Sequence, residues 1–182
     1  MKSMKRVFFL AAAMSASMAG SVQSAVGPVD AGGFTATHTA TVAVEASKIW
    51  DQLVHPERWW SKDHTWSGDA ANLSLSAAPS GCFCEKLPNG GFVEHARVIH
   101  AMPGRMLRLS GGLGPLQGEA VSGTLTVSIK TAEGGGSTLE FVYVVGGSAR
   151  FNMKEMSAAV DMVIGEQHRR LAKLLAPEGN AN

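Results

Sequence analysis

Apolar and polar residues alternate along 34–44, where Phe34, Ala36, Ala40, Val42 and Val44 share one parity and threonines fill most of the other. A period of two predicts a half-buried strand. The period then changes. Over 46–54, Ile49, Trp50, Leu53 and Val54 lie on one stripe of a short helix. His55-Pro56 ends it, because the residue before proline is disfavoured in the α region. Residues 57–61 predict one further turn, carrying Trp59 and Trp60. Turn-rich breaks then separate short strands at 72–77, 82–87, 92–101, 106–110, 121–131 and 137–145, with Pro88-Asn89-Gly90-Gly91 as a hairpin signal. In the last strand Glu140 is expected to face water, which turns Leu139, Phe141, Tyr143 and Val145 inward. From 152 to 176 the spacing becomes three-and-four: Met153, Met156, Val160, Val163, Ile164, His168, Leu171, Leu174 and Leu175. That is one long amphipathic helix, with Asn152 as N-cap and Pro177 beyond its end. The expected fold is α+β: a curved antiparallel sheet of about six or seven strands, two short helices after the first strand, and a long C-terminal helix.

The first 25 residues read differently. Lys2, Lys5 and Arg6 precede the apolar run from Val7 to Met14, and small residues follow. A span needs about 20 apolar residues, so this is a cleavable secretory signal rather than a membrane helix. Cleavage after Ala19, Ser24 or Ala25 satisfies the pattern equally. The organisation expected is signal 1–25, leader 26–33, one domain over 34–176 and a tail at 177–182, working in the periplasm or secreted, with no stable membrane insertion after cleavage.

Removing the signal changes the charge. Three of the 16 basic residues lie in it, leaving 13 against 15 acidic ones and a net charge near −2. No clustered cations remain for nucleic acid. The two cysteines, Cys82 and Cys84, are one residue apart. Residues i and i+2 of a regular strand place Cα atoms roughly 6.5–7 Å apart, near the limit for a disulfide, so two buried free thiols are expected. No convergent metal-ligand spacing or phosphate loop is present, and no cofactor is expected. Gly111-Gly-Leu-Gly-Pro joins two strands without a following helix and reads as a flexible flap.

Several local phrases share one order. They are Val42-Ala-Val-Glu-Ala-Ser-Lys-Ile-Trp50, Ser80-Gly81-Cys82-Phe83-Cys84-Glu85, Val98-Ile-His-Ala-Met-Pro103, and Gly136-Ser-Thr138-Leu139 with Tyr143. Together with the element order they resemble the START/birch-pollen-allergen (SRPBCC) superfamily, in its polyketide cyclase/dehydrase-like branch. The resemblance implies a helix-grip fold with a hydrophobic cavity between sheet and long helix, holding a small hydrophobic molecule such as a lipid, sterol, polyketide-like or aromatic compound. Residues expected to line the cavity or its mouth are Trp59, Trp60, Trp66, Phe83, Phe141, Tyr143, Met156 and Val160. A second expectation is a cyclase or dehydratase in which Tyr143 works with His95 or Glu85 as acid and base. A third is a protein-interaction module that grips its partner through the Trp-rich segment.

Overall fold

The computed structural model describes residues 22–27, 29 and 32–176. The expected signal up to residue 21 and the tail at 177–182 lie outside the described residues. Eight strands form one curved, unclosed antiparallel sheet: β1 (Val22–Val26), β2 (Gly33–Val42), β3 (Leu73–Leu75), β4 (Cys82–Lys86), β5 (Phe92–Met102), β6 (Met106–Ser110), β7 (Ala120–Thr131) and β8 (Ser137–Ser148). Their order across the sheet is β1-β2-β8-β7-β6-β5-β4-β3. Helix α1 (Ala46–Leu53) follows β2, and helix α2 (Met153–Leu174) closes the chain. The strand beyond the expected six or seven is β1, formed by residues assigned to the end of the signal and the leader and paired with β2 from Val22↔Ala40 to Val26↔Ala36.

The inward parity of β2 is Phe34, Ala36, His38, Ala40 and Val42, all buried. Ala36 and Ala40 flank the ring of His38, and Gly165 of α2 faces it: a Cβ at Gly165 would stand 2.6 Å from His38 Cε1. Small residues on both elements therefore let α2 settle chiefly against β2. Helix α2 begins where Asn152 Oδ1 accepts hydrogen bonds from Lys154 N (2.9 Å) and Glu155 N (3.3 Å), two of the orphan N–H groups of a first turn. Its 22 residues cross about 33 Å.

The other half of the sheet is covered by the irregular stretch between α1 and β3. Trp59 and Trp60 are 5% and 6% exposed. Three polar contacts stitch this stretch to α2: Ser61 N donates to Gln167 Oε1 (2.8 Å), Arg170 Nε donates to the Trp59 carbonyl (2.7 Å), and His64 Nε2 meets Glu166 Oε2 (3.1 Å).

The expectation of free thiols is overturned: Cys82 and Cys84 form a disulfide, with Cα atoms 5.5 Å apart. The pairing of β4 with β5 slips between Phe83 and Cys84: Phe83 faces Ala96, but Cys84 faces Glu94. His95 is the extra residue of a β-bulge. The irregularity falls inside the Cys pair, and β4 is not held at full pleated extension there. The distance argument that favoured thiols assumed a regular strand.

Candidate functional site

A cavity of about 290 Å³ opens where the two covers of the sheet meet. Its walls are Trp60 and Asp63 to Trp66 of the irregular stretch, Leu113 to Pro115 of the β6–β7 loop, Met156, Ala159, Val160, Val163 and Ile164 of α2, and His95 of β5. Trp66 stands 58% exposed at the rim. The sheet's centre is filled: Trp59, Trp60, Phe83 and Phe141 surround a residual void of about 20 Å³, about the space of one water molecule.

His95 reaches the cavity because of the bulge. In a regular strand His95 and Ala96 would face opposite ways; here both are buried, at 6% and 3% exposure. His95 Nε2 lies 2.9 Å from Glu85 Oε2, and Glu85 is 1% exposed. The same carboxylate accepts from Trp66 N at 3.1 Å and Ser67 N at 2.5 Å. Burial alone would raise the Glu85 pKa, but the hydrogen bonds from Ser67, Trp66 and His95 outweigh it and hold Glu85 below the ordinary carboxylate value. Burial also lowers the His95 pKa, and Glu85 offsets this only in part. The imidazole is therefore neutral at pH 7, with its proton on Nε2 and donated to Glu85. Nδ1 takes no hydrogen-bond partner among the described residues, and His95 is one of the residues that line the cavity.

The predicted residues divide. Trp60, Trp66, Met156 and Val160 line the cavity with His95. Trp59, Phe83 and Phe141 bound the small central void instead. Tyr143 joins neither group. Its hydroxyl donates to the Gly111 carbonyl (3.0 Å) and accepts from Leu113 N (2.9 Å), and burial pushes its pKa up to about 12 against the Leu113 hydrogen bond. Tyr143 is thus a strut under the β6–β7 loop: backbone partners occupy its hydroxyl, and it is not among the residues that line the cavity with His95. That loop is not a free flap: Tyr143 holds one end and the fully buried Leu116 the other. Nor do the tryptophans of this segment form one exposed patch, since Trp59 and Trp60 are buried and Trp66 alone of the three is exposed.

Sequence reasoning passed over a second polar cluster under α2. His38 Nε2 is 2.9 Å from Asp161 Oδ1, but off the line a hydrogen bond requires, so the contact is electrostatic and both atoms lack an aligned partner. Fully buried His168 meets the Leu139 carbonyl at 3.1 Å through Nε2. The available signal was His38 on the inward parity of β2. Ring contacts run between the two polar groups: His95–Phe83 (4.9 Å), Phe83–Trp60 (4.9 Å), Trp60–Trp59 (5.5 Å), Trp59–Phe141 (6.1 Å), Phe141–His168 (5.2 Å) and His168–His38 (6.0 Å). Among the described residues no three His, Cys, Asp or Glu side chains converge to hold a metal ion, and no helix is long and apolar enough to cross a membrane.

No protein-family model and no curated protein matches the chain in sequence. Solved structures do match in shape. A protein from Mesorhizobium loti is 17% identical, with a TM-score of 0.55 over 78% of this chain and 96% of its own. A conserved protein of unknown function from Enterococcus faecalis is 11% identical, with a TM-score of 0.58 over 87% of this chain and 80% of its own. The di-domain ARO/CYC StfQ of the steffimycin biosynthetic pathway is 13% identical, with a TM-score of 0.52 over 78% of this chain and 50% of that one. The chain shares the fold of these structures, an antiparallel sheet gripping a long C-terminal helix, which is the architecture its sequence phrases led us to expect. Chemistry does not follow from that fold, which hosts many.

Two of the buried histidines, His95 and His168, give a pH dependence of one sign. His95 is lowered chiefly by burial; His168 is lowered by burial and by the neighbouring His38 and Arg169, against its bond to Leu139. The unfolded chain, with histidines near 6.5, then binds more protons than the native one, so stability is full above about pH 6.5 and is lost as pH falls. Glu85 adds to the loss below the ordinary carboxylate range. Melting temperatures measured from about pH 7.5 down to 5 should fall, and His168→Gln should flatten the profile. A profile in which both proteins melt alike at every pH contradicts the assignment.

Proposed function

We propose that the protein is an exported binder of a compact, mainly apolar molecule that carries one hydroxyl group. The observation that supports this reading is the apolar cavity lined by a buried histidine, His95, whose Nε2 is held by Glu85 and whose Nδ1 has no hydrogen-bond partner among the described residues. Ligand pockets run from roughly 300 to 1,000 Å³, and a cavity near 290 Å³ sits at the low end. A one- or two-ring aromatic suits it better than a sterol, a long-chain lipid or a four-ring polyketide. Trp60 and Trp66 offer ring faces for stacking. Export is supported by the N-terminal charge and apolar pattern and by the Cys82–Cys84 disulfide, which belongs in an oxidising compartment.

A second reading is favoured by one observation: a buried carboxylate, itself fixed by two backbone N–H groups, orients the histidine that faces the cavity. That is how a general base is built. In this reading His95 Nδ1 takes a proton from a carbon beside a carbonyl of the bound molecule, the electron pair passes into the carbonyl as an enolate, and the proton returns. Tyr143 has no part in it.

Three measurements separate these statements. Titration with 2-naphthol and naphthalene, followed by tryptophan fluorescence, should show both binding, the naphthol about three- to tenfold more tightly because it can donate to Nδ1. His95→Phe should keep binding and remove the preference; if neither compound binds the native protein, the cavity reading fails. For the base, loss of the C1 protons of 2-tetralone in D₂O, followed by NMR, should run on the order of a hundredfold faster than with His95→Phe. Equal rates would sink the enzyme reading and leave the carrier. For export, the mature N-terminus should be Gly20, because cleavage after Ser24 or Ala25 cuts into β1 and its pairing with β2. A protein retained in the cytoplasm with residues 1–19 attached overturns it.

A further inference from the structure

The disulfide lies on the outer face of the sheet, away from the cavity. Along β4, Phe83 and Glu85 are buried while Cys82 and Cys84 are partly exposed. Their nearest cover is thin: β3 has three residues, and exposed Ser74 is the one opposite Cys84. A crosslink between residues two apart closes a very small loop, so it removes little freedom from the unfolded chain and is a weak stabiliser. A partly exposed crosslink with little structural purpose is the kind that takes part in thiol exchange.

The charges across the strand pair make the two sulfurs unequal. Cys82 stands directly opposite Arg97 and Cys84 directly opposite Glu94, and such pairs bring Cβ atoms within about 5.5 Å on one face. Arg97 and Glu94 are themselves joined, through Nε to Oε1 at 2.9 Å and Nη2 to Oε2 at 2.9 Å, so the guanidinium is held over this face. A cation beside a sulfur favours its thiolate, and a carboxylate opposes it. Cys82 is thus the better leaving group, and Cys84 the sulfur to attack.

We infer that Cys82–Cys84 is a thiol–disulfide exchange site that accepts two electrons from an external dithiol. A thiolate of the dithiol attacks Cys84 Sγ; the new S–S bond forms as the Cys82–Cys84 bond breaks, and Cys82 leaves as a thiolate beside Arg97. The second thiol of the partner attacks its own sulfur in the mixed disulfide and releases Cys84. The partner leaves as a disulfide, oxidised by two electrons, and its two protons end on Cys82 and Cys84. The reverse sequence, with an oxidised partner, restores the bond. This site stands independently of the cavity reading: the sulfurs and the cavity lie on opposite faces of the sheet.

The test uses the full chain purified without reductant. Brief exposure to reduced glutathione, acid quenching, alkylation and peptide mass spectrometry should find the glutathione adduct on Cys84, at least about tenfold over Cys82. Reduction by dithiothreitol, whose attacking thiolate carries no charge beyond its sulfur, should slow about three- to tenfold in Arg97→Gln, a substitution at an exposed position. The double variant Cys82→Ser/Cys84→Ser should melt within a few degrees of the native protein. An adduct shared equally, an unchanged rate in Arg97→Gln, or a bond that resists reduction until the protein unfolds would each overturn the proposal. A large loss of melting temperature in the double variant would mark the disulfide as structural and do the same.

Discussion

One extra residue in the pairing of β4 with β5 sets most of what is distinctive here. A strand sends successive side chains to opposite faces, so β5 in strict register could point either His95 or Ala96 inward, never both. The bulge turns both inward and puts Phe83 beneath the His95 ring at 4.9 Å. It also places Glu85, two residues along β4 on the inward parity, within 2.9 Å of the imidazole. On the outer face the same irregularity brings the two cysteine Cα atoms to 5.5 Å, a distance that a bond can span. Histidine, carboxylate and disulfide are three results of a single slip in the ladder.

The position of the cavity follows from how the sheet is covered. Helix α2 needs small residues below it to approach β2, and Gly165, Ala36 and Ala40 provide them. Lying there, it leaves the β4–β6 side bare. Trp59 and Trp60 fill that side, and burying an indole of about 150–250 Å² contributes about 4–6 kcal/mol as an upper bound. That term decides why these two rings pack inward and only Trp66 remains at the rim. The cost is that the middle of the grip has no room for a ligand, and the cavity that His95 lines survives along the seam between the two covers.

Periodicity carried the elements well. The parity of β8, the helix α2 and its Asn152 cap, and the turn at 88–91 were all legible, because each is a local pattern answered by local physics. The strand β1 was masked by overlap with residues that read as a signal and leader. What was not legible depended on register between strands distant in sequence. A regular β5 would put Arg97 on one face with His95, but the bulge sends Arg97 to solvent and His95 inward. The lone tyrosine looked like a cavity acid because nothing local shows that Gly111 and Leu113 would claim its hydroxyl. Of the candidate site, the lining of Trp60, Trp66, Met156 and Val160 was anticipated, and the placement of Phe83 and Phe141 under the tryptophans was not.

The charge state of the Glu85–His95 pair determines what the cavity offers a guest. Burying a carboxylate costs several kcal/mol, and a neutral Glu85 would avoid that cost. Against it stand three hydrogen bonds to the charged group, each worth about 1.5–3 kcal/mol, two of them from backbone N–H groups that a protonated acid would satisfy poorly. The sum favours the carboxylate. His95 could then have been protonated to form an ion pair, but its burial among Phe83, Trp60 and the cavity wall disfavours a second buried charge. The outcome is one fixed negative charge behind a neutral ring, so the wall presents a polarised acceptor and no cation. Asp63 at the opening has the same sign. An anionic guest therefore meets like charge at the opening, and the neutral His95 ring adds an acceptor to the wall rather than a counter-charge.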